Sequence, residues 1–177
     1  VWDGEYRSYL IDGVEMEMFY PGPTHGDGNI AIYFPSSRVL FMVDNVQTGI
    51  GYTFFPDHHI EPYTGNMRRL LDLDFDIFIP GHFWLMSRDD FCNSLNLFDT
   101  LVEDAKQALI EGCDPTDLGE LDRWCHQKLA ARYERHFRFH EYIAQNMMRF
   151  MHHHLTGGWG VDGATPPAEG PISRGRT

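Results

Sequence analysis

The sequence predicts a mixed α/β fold, with strands in its first half and helices in its second. Short runs of β-forming residues fall before residue 80, and several end in loops rich in glycine and polar residues. Apolar residues at helical spacing dominate from residue 87 to residue 156. The chain has 177 residues, 42% hydrophobic and 14% aromatic, which is typical of one folded domain with its own core.

The strands of the first half are predicted from two patterns. Val14–Tyr20 alternates apolar and acidic residues with the period of a half-buried strand. Ile30–Phe34 and Val39–Val43 are apolar runs that flank a four-residue turn, which predicts a buried β-hairpin. A helix is expected near Thr64–Leu71, and a further short strand follows at Phe75–Ile79.

The second half begins with a helix start signal. Ser87 followed by Asp90 resembles a capping box, and apolar residues then recur at helical spacing until Gly112. Two further helices are expected near Leu118–Tyr133 and Phe139–Leu155. We therefore divide the chain into a strand-rich part at 1–86, a helical extension at 87–156 and a Gly/Pro-rich tail at 157–177.

Charge and composition exclude several classes of function. The chain has 14 basic and 26 acidic residues, a net charge of −12, and its basic residues are scattered, which argues against nucleic-acid binding. No segment approaches the roughly 20 apolar residues needed to cross a bilayer, so we predict a soluble protein, with the cytoplasm slightly favoured. The 3 cysteines form no C-x-x-C pair and are expected to be free thiols.

Three predicted strands are associated with loops that carry a metal-ligand type of side chain. His25 lies in the loop after the first strand, Asp44 follows the second strand of the hairpin, and His82 follows the next strand. Imidazole and carboxylate groups are the ligands that zinc uses in catalytic sites. Because neighbouring strands lie only about 4.8 Å apart, their ends can converge on one point.

These three positions lie in segments that resemble the downstream half of metallo-β-lactamase-fold hydrolases. The segments are GPTHGDGN at 22–29, VLFMVD at 39–44 and LDFDIFIPGH at 73–82, in the order found in that family. The resemblance covers residues 14–84 and implies an αβ/βα sandwich, in which two sheets are covered by helices. Residues 1–86 would then form the downstream half of the domain, with added helices after it.

The resemblance also implies a dinuclear zinc site. In this family, the residue that matches His25 binds the first zinc, the residue that matches Asp44 bridges both zincs, and the residue that matches His82 binds the second. Asp44 would also orient the activated water and so act as the catalytic residue. The implied reaction is hydrolysis of a small ester, lactone, amide or sulfate ester, and iron or manganese is not excluded as the metal.

The family's upstream ligand motif, His-x-His-x-Asp-His, is absent, because the sequence contains no histidine before His25. We therefore expect the upstream half of the fold to come from another segment or a partner chain. Half of a sandwich would expose apolar sheet residues, so a homo-oligomer is also expected. The alternative is a metal-free binding or scaffolding subunit that retains the fold without the activity.

The segment Thr48–Pro62 is rich in glycine and aromatic residues and shows no periodicity, which predicts a long loop. In the resembled family this region shapes the substrate pocket, so His58 and His59 are candidate substrate-binding residues. The alternative is an exposed polar pair. Nearby aromatic residues either wall an apolar pocket or belong to the core; they are Tyr52, Phe54, Phe55 and Trp84.

The histidine run His152–His154 suggests a metal cluster, but consecutive helical side chains point about 100° apart. We interpret the run as the end of a helix, where histidine complements the negative end of the helix dipole. The segment Arg149–Gly160, which contains this run, is similar to the closing helix and Gly-Gly-Trp turn of some alkylsulfatase-related members of the family.

Overall fold

The computed structural model describes residues 5–51 and 58–157, and within these residues six strands form one sheet in chain order. All neighbouring strands are antiparallel except β4 and β5, which are parallel. The strands are β1 (Tyr6–Ile11), β2 (Val14–Phe19), β3 (Ala31–Phe34), β4 (Val39–Phe41), β5 (Ile77–Ile79) and β6 (Met86–Ser87).

Five α-helices accompany the sheet in the described part of the chain, which confirms the mixed α/β class. They are α1 (Ile60–Arg69), α2 (Arg88–Ile110), α3 (Leu118–Lys128), α4 (Ala130–Tyr133) and α5 (Phe139–Thr156). Their buried residues and those of the sheet form one hydrophobic cluster. The division into three segments stays a prediction, and residues 158–177 of the tail lie outside the described residues.

Strand β1, which the sequence patterns did not predict, pairs with β2 over its whole length. The two strands are joined at Asp12 and Gly13, whose φ angles of 49° and 82° are both positive. An Asp-Gly pair with positive φ at both positions is the turn that fits the twist of a two-residue hairpin. That dipeptide was the available signal, but β1 is almost fully exposed and lacks the alternation that marks a half-buried strand.

The sheet has one buried face and one partly exposed face. Phe78 lies on the buried face, where its ring packs edge-on against Phe91 of α2 with 4.9 Å between the centroids. The opposite face is also apolar but remains half-buried or exposed, and Ile77 is 41% exposed. Strand pairing aligns Met18, Ile32, Phe41 and Ile79 in one row on this face.

The predicted helices are confirmed with two corrections. The capping box holds, since the Ser87 side chain accepts from the Asp90 backbone and the Asp90 carboxylate binds Ser87 in return. Helix α1 begins at Ile60 rather than near residue 64, because Pro62 is tolerated in a first turn. The helix expected over 118–133 is two helices that meet at Leu129.

The cysteines are free thiols, as predicted, and burial raises the pKa of Cys125 above its usual range. Within residues 5–51 and 58–157, no helix has both the length and the apolar content needed to cross a bilayer.

Candidate metal centre

Asp44 and His82 lie side by side at one edge of the sheet. Asp44 follows β4 and His82 follows β5, and because these strands are parallel, their carboxyl ends reach the same edge. The Nε2 atom of His82 lies 2.6 Å from Oδ1 of Asp44. The two side chains are 50% and 31% exposed, so a metal ion or a substrate can reach them.

The backbone fixes this pair. Asp44 adopts a left-handed conformation with φ of 62°, which is uncommon for a residue with a side chain, and its amide donates to the Pro80 carbonyl at 3.0 Å. Gly81 has φ of 83°, and a Cβ atom there would lie 2.7 Å from Cγ2 of Val43. The loops after β4 and β5 therefore pack against each other too closely for a larger residue at position 81.

The donor atoms of this pair suit a shared cation. Oδ1 of Asp44 is buried, and Nε2 of His82 lies 2.6 Å from it, within ion-pair distance. A buried carboxylate oxygen needs a hydrogen-bond donor or a cation beside it, and a metal ion bound by the two side chains would supply that cation. One imidazole nitrogen beside one carboxylate oxygen is a partial ligand set for zinc, iron or manganese.

Asn45 joins the loop of His25 to the strand end of Asp44. Its fully buried amide accepts a hydrogen bond from the His25 backbone N–H at 3.1 Å and donates to the Val43 carbonyl at 2.7 Å. The hydroxyl of Tyr63 also donates to the Asn45 carbonyl. This role of Asn45 was not predicted from the sequence, where its only signal is a second polar residue directly after a buried strand.

His25 contacts His58 rather than Asp44 or His82 in the contacts that the structure shows. The two rings meet edge-on with 5.0 Å between their centroids. Across residues 5–51 and 58–157, no three His, Cys, Asp or Glu side chains are arranged to hold one metal ion. The structure therefore brings two of the three expected ligands together, and the metal roles of His25, Asp44 and His82 stay predictions.

His58 and His59 are buried, at 1% and 2% exposure, so the alternative of an exposed polar pair is wrong. The His58 ring packs edge-on against Tyr63 with 5.1 Å between centroids. Nε2 of His59 lies 3.0 Å from Oδ1 of Asp27, which brings the loop around His25 against the start of α1. Contact of His58 or His59 with substrate stays a prediction.

The remaining site expectations have mixed outcomes. Trp84 is 55% exposed and lines a cavity, so it is not a core residue. The other aromatic residues expected to wall a pocket, Tyr52, Phe54 and Phe55, lie outside the described residues. The run His152–His154 ends α5 as predicted, and its last two histidines contact different partners, Glu61 and the Val102 carbonyl.

Comparison with known families agrees with this geometry. Residues 10–82 match the metallo-beta-lactamase superfamily, and the segment includes the hairpin, the parallel strand pair and all three candidate ligands. These residues therefore carry the sequence pattern of that superfamily.

The curated relatives are subunits of a demethylase. The chain is 41% identical over 172 residues to 2,4-dinitroanisole O-demethylase subunit alpha of Nocardioides sp. (strain JS1661), covering 97% of this chain and 52% of the relative. It is 28% identical over 153 residues to subunit beta from the same organism, covering 85% of this chain and 48% of the relative. The chain thus spans about half the length of the curated relatives it matches.

A solved structure extends the likeness in fold to the helical part. The inverting sec-alkylsulfatase Pisa1 from Pseudomonas sp. superposes with a TM-score of 0.56 over 92% of this chain and 27% of that chain. The sequence identity is 16%, so this likeness concerns the fold alone.

Proposed function

We propose that this protein is part of a metal-dependent hydrolase, with zinc as the expected metal. Asp44 and His82 would bind one ion, and Asp44 would bridge to a second ion held by His25. The observation that carries the proposal is the 2.6 Å approach of His82 Nε2 to the buried Oδ1 atom of Asp44. Iron or manganese would fit the same nitrogen and oxygen donors.

When bound, the metal would supply an acidified water as nucleophile and polarise the substrate oxygen that it contacts. Asp44 would orient that water through its carboxylate and accept a hydrogen bond from it. The left-handed backbone at Asp44 and the close packing of Gly81 hold the carboxylate beside His82 before substrate arrives. Such fixed geometry favours reaction, because little reorganisation is needed at the moment of attack.

The substrate class we propose is an activated aryl ether or ester. The match to the superfamily supports hydrolysis of an ester, lactone, amide or sulfate ester, and the name of the demethylase relatives adds an aryl methyl ether. For an aryl ether or aryl ester, water adds across one bond: R–O–Ar and H₂O give R–OH and HO–Ar. Nitro groups on the ring stabilise the departing aryloxide, so that bond is weakened without an oxidant.

We also propose that the remaining ligands come from a partner chain or another segment. Two observations support this part: the apolar sheet face carrying Ile32, Phe41 and Ile77 is only partly covered by described residues, and the demethylase relatives are named as subunits. Burying apolar area of this kind contributes about 25 cal/mol per Å². A homo-oligomer would cover the same face.

The test combines intact mass, metal content and activity of the native protein, purified with any chain that accompanies it. Asp44→Asn and His82→Gln should each lower bound metal and reduce hydrolysis of nitroaryl ethers and esters by at least about a hundredfold. Asp76→Asn and His140→Gln are matched controls, because both residues are exposed and neither lies at the proposed centre. Circular dichroism of each variant checks that the fold is retained.

Full metal content or full activity in both Asp44→Asn and His82→Gln would contradict the proposal. A native protein that binds no metal, yet binds a partner chain equally well with either substitution, would favour the scaffolding alternative.

A further inference from the structure

A cavity of about 450 Å³ is lined in part by the segments that follow Asp44 and His82 in the chain. The loop after Asp44 continues into one wall at Thr48, and the loop after His82 continues into another at Trp84. The first turns of α2 close the cavity, with His136 at its rim. The lining residues are Thr48, Gly49, Trp84, Leu85, Met86, Asp90, Asn93, Ser94, Leu97 and His136. This volume is within the range of small-molecule sites and accommodates a substituted aromatic ring.

Trp84 provides an aromatic wall that is accessible yet fixed in position. It is 55% exposed, and its ring meets the Phe137 ring edge-on with 4.8 Å between centroids. Phe83 also packs against Phe137, at 5.2 Å, and the Arg138 guanidinium lies over both Phe rings. An indole held this way loses little conformational freedom when a ligand stacks on it.

The polar lining of the cavity favours an uncharged ligand. Asn93 and Ser94 provide neutral hydrogen-bond donors, and the buried Thr48 hydroxyl has no hydrogen-bond partner among the described residues. No Lys or Arg belongs to the described lining. Asp90 is held ionised, since hydrogen bonds from Ser87 lower the pKa of its carboxyl. Its negative charge disfavours an anion.

Desolvation lowers the pKa of His136, so its imidazole at the rim is favoured in the neutral form at pH 7. The ring can then donate or accept a hydrogen bond without attracting an anion. Arg138, the nearest basic side chain on the aromatic cluster, is paired with Glu141 at 3.3 Å.

We propose that this cavity is the substrate-ring site, and that it binds an uncharged, electron-poor nitroarene stacked on Trp84. The assignment rests on the proposed function, whose activated aryl substrates carry such a ring. An electron-poor ring stacks well on an electron-rich indole because their quadrupoles are complementary. Nitro oxygens accept hydrogen bonds from Asn93, Ser94 and Thr48. The same lining disfavours the nitrophenolate product, which promotes its release.

The test measures binding without turnover. Equilibrium dialysis of the full chain with 1,3-dinitrobenzene, which has no scissile ether or ester bond, is run after chelation of metal. Trp84→Ala should weaken binding by about tenfold, the upper range for one lost aromatic stack. Ser94→Leu, which fills the cavity, should weaken it similarly. Trp124→Ala is the matched control, since the Trp124 indole donates a hydrogen bond to Glu111 and does not line the cavity.

A charge comparison gives a second readout. The full chain should bind 1,3-dinitrobenzene more tightly than 2,4-dinitrophenolate at pH 7. Asp90→Asn should bring the two binding affinities closer together. The site assignment is overturned if Trp84→Ala and Ser94→Leu, both folded by circular dichroism, bind 1,3-dinitrobenzene as the unsubstituted protein does. It is also overturned if the phenolate binds more tightly.

These results are separable from the test of the proposed function. Binding that depends on Trp84 in a protein without metal-dependent activity supports the ring site and contradicts the hydrolase. Metal-dependent activity with binding unaffected by Trp84→Ala contradicts the ring site alone.

Discussion

Asn45 offers the sharpest test of how the fold positions the candidate ligands. Asn45→Ala removes the acceptor for the His25 backbone N–H and the donor to the Val43 carbonyl. Both groups belong to segments that carry or precede a candidate ligand, and the Asn45 side chain is fully buried. The substitution therefore affects stability and the placement of His25 and Asp44 together.

The size of the effect follows from these two hydrogen bonds. Each net hydrogen bond contributes about 1 kcal/mol, and leaving a buried partner unsatisfied costs about 1–3 kcal/mol. Because water can reach part of the His25 loop, we expect a total loss of about 3 kcal/mol in the free energy of unfolding. For a chain of this length that corresponds to a fall of about 6–12 °C in Tm.

Urea unfolding followed by circular dichroism measures this loss. Asn96→Ala is the matched control, because Asn96 is an exposed α2 residue that accepts one hydrogen bond from Arg68. It should change the free energy of unfolding by no more than about 0.5 kcal/mol. Equal stability of Asn45→Ala and Asn96→Ala would refute the view that Asn45 holds the two loops together.

Two further predictions concern a glycine and a carboxylate. Gly81→Ala should destabilise the protein by about 1–3 kcal/mol, because Gly81 has a positive φ and a Cβ atom there would lie 2.7 Å from Val43. Gly28→Ala is the control and should be nearly neutral in the same urea assay, because the space around Gly28 is open. A neutral Gly81→Ala would contradict the packing argument. Hydrogen bonds, foremost from the Trp124 indole, lower the pKa of Glu111 from 4.5 to about 2. Ionised Glu111 therefore stabilises the folded protein above pH 4.5, and this stabilisation is lost as pH falls toward 2. Glu111→Gln should show a flatter dependence of Tm on pH in that window. An unchanged slope would contradict this prediction.

The sequence predicted the elements that have a strong local signal. The β3–β4 hairpin was recognised because apolar β-formers flank a short turn, and α2 because the Ser87 cap precedes a long apolar stripe. The start of α1 was placed too late because Thr48–Pro62 shows no periodicity, although Pro62 is tolerated in a first helical turn, where no amide donor is needed.

The candidate site was predicted in part. His25, Asp44 and His82 were identified because each sits in a loop beside a buried strand, and the motifs around them have the family's order. The burial of His58 and His59 was not predictable from a loop-like segment. It follows from the contact of His58 with His25 and from the approach of His59 to Asp27, which are contacts between distant parts of the chain.

The sequence alone determined the fold class, the resemblance of its first half to the superfamily and the residue types available to bind a metal, because those depend on local pattern and motif order. Only the tertiary structure decided which of those residues meet. The parallel pairing of β4 with β5 brings Asp44 to His82, and the Asn45 amide ties the His25 loop to the same edge. Such pairings depend on strand register and close packing between segments far apart in the chain, which no local pattern encodes.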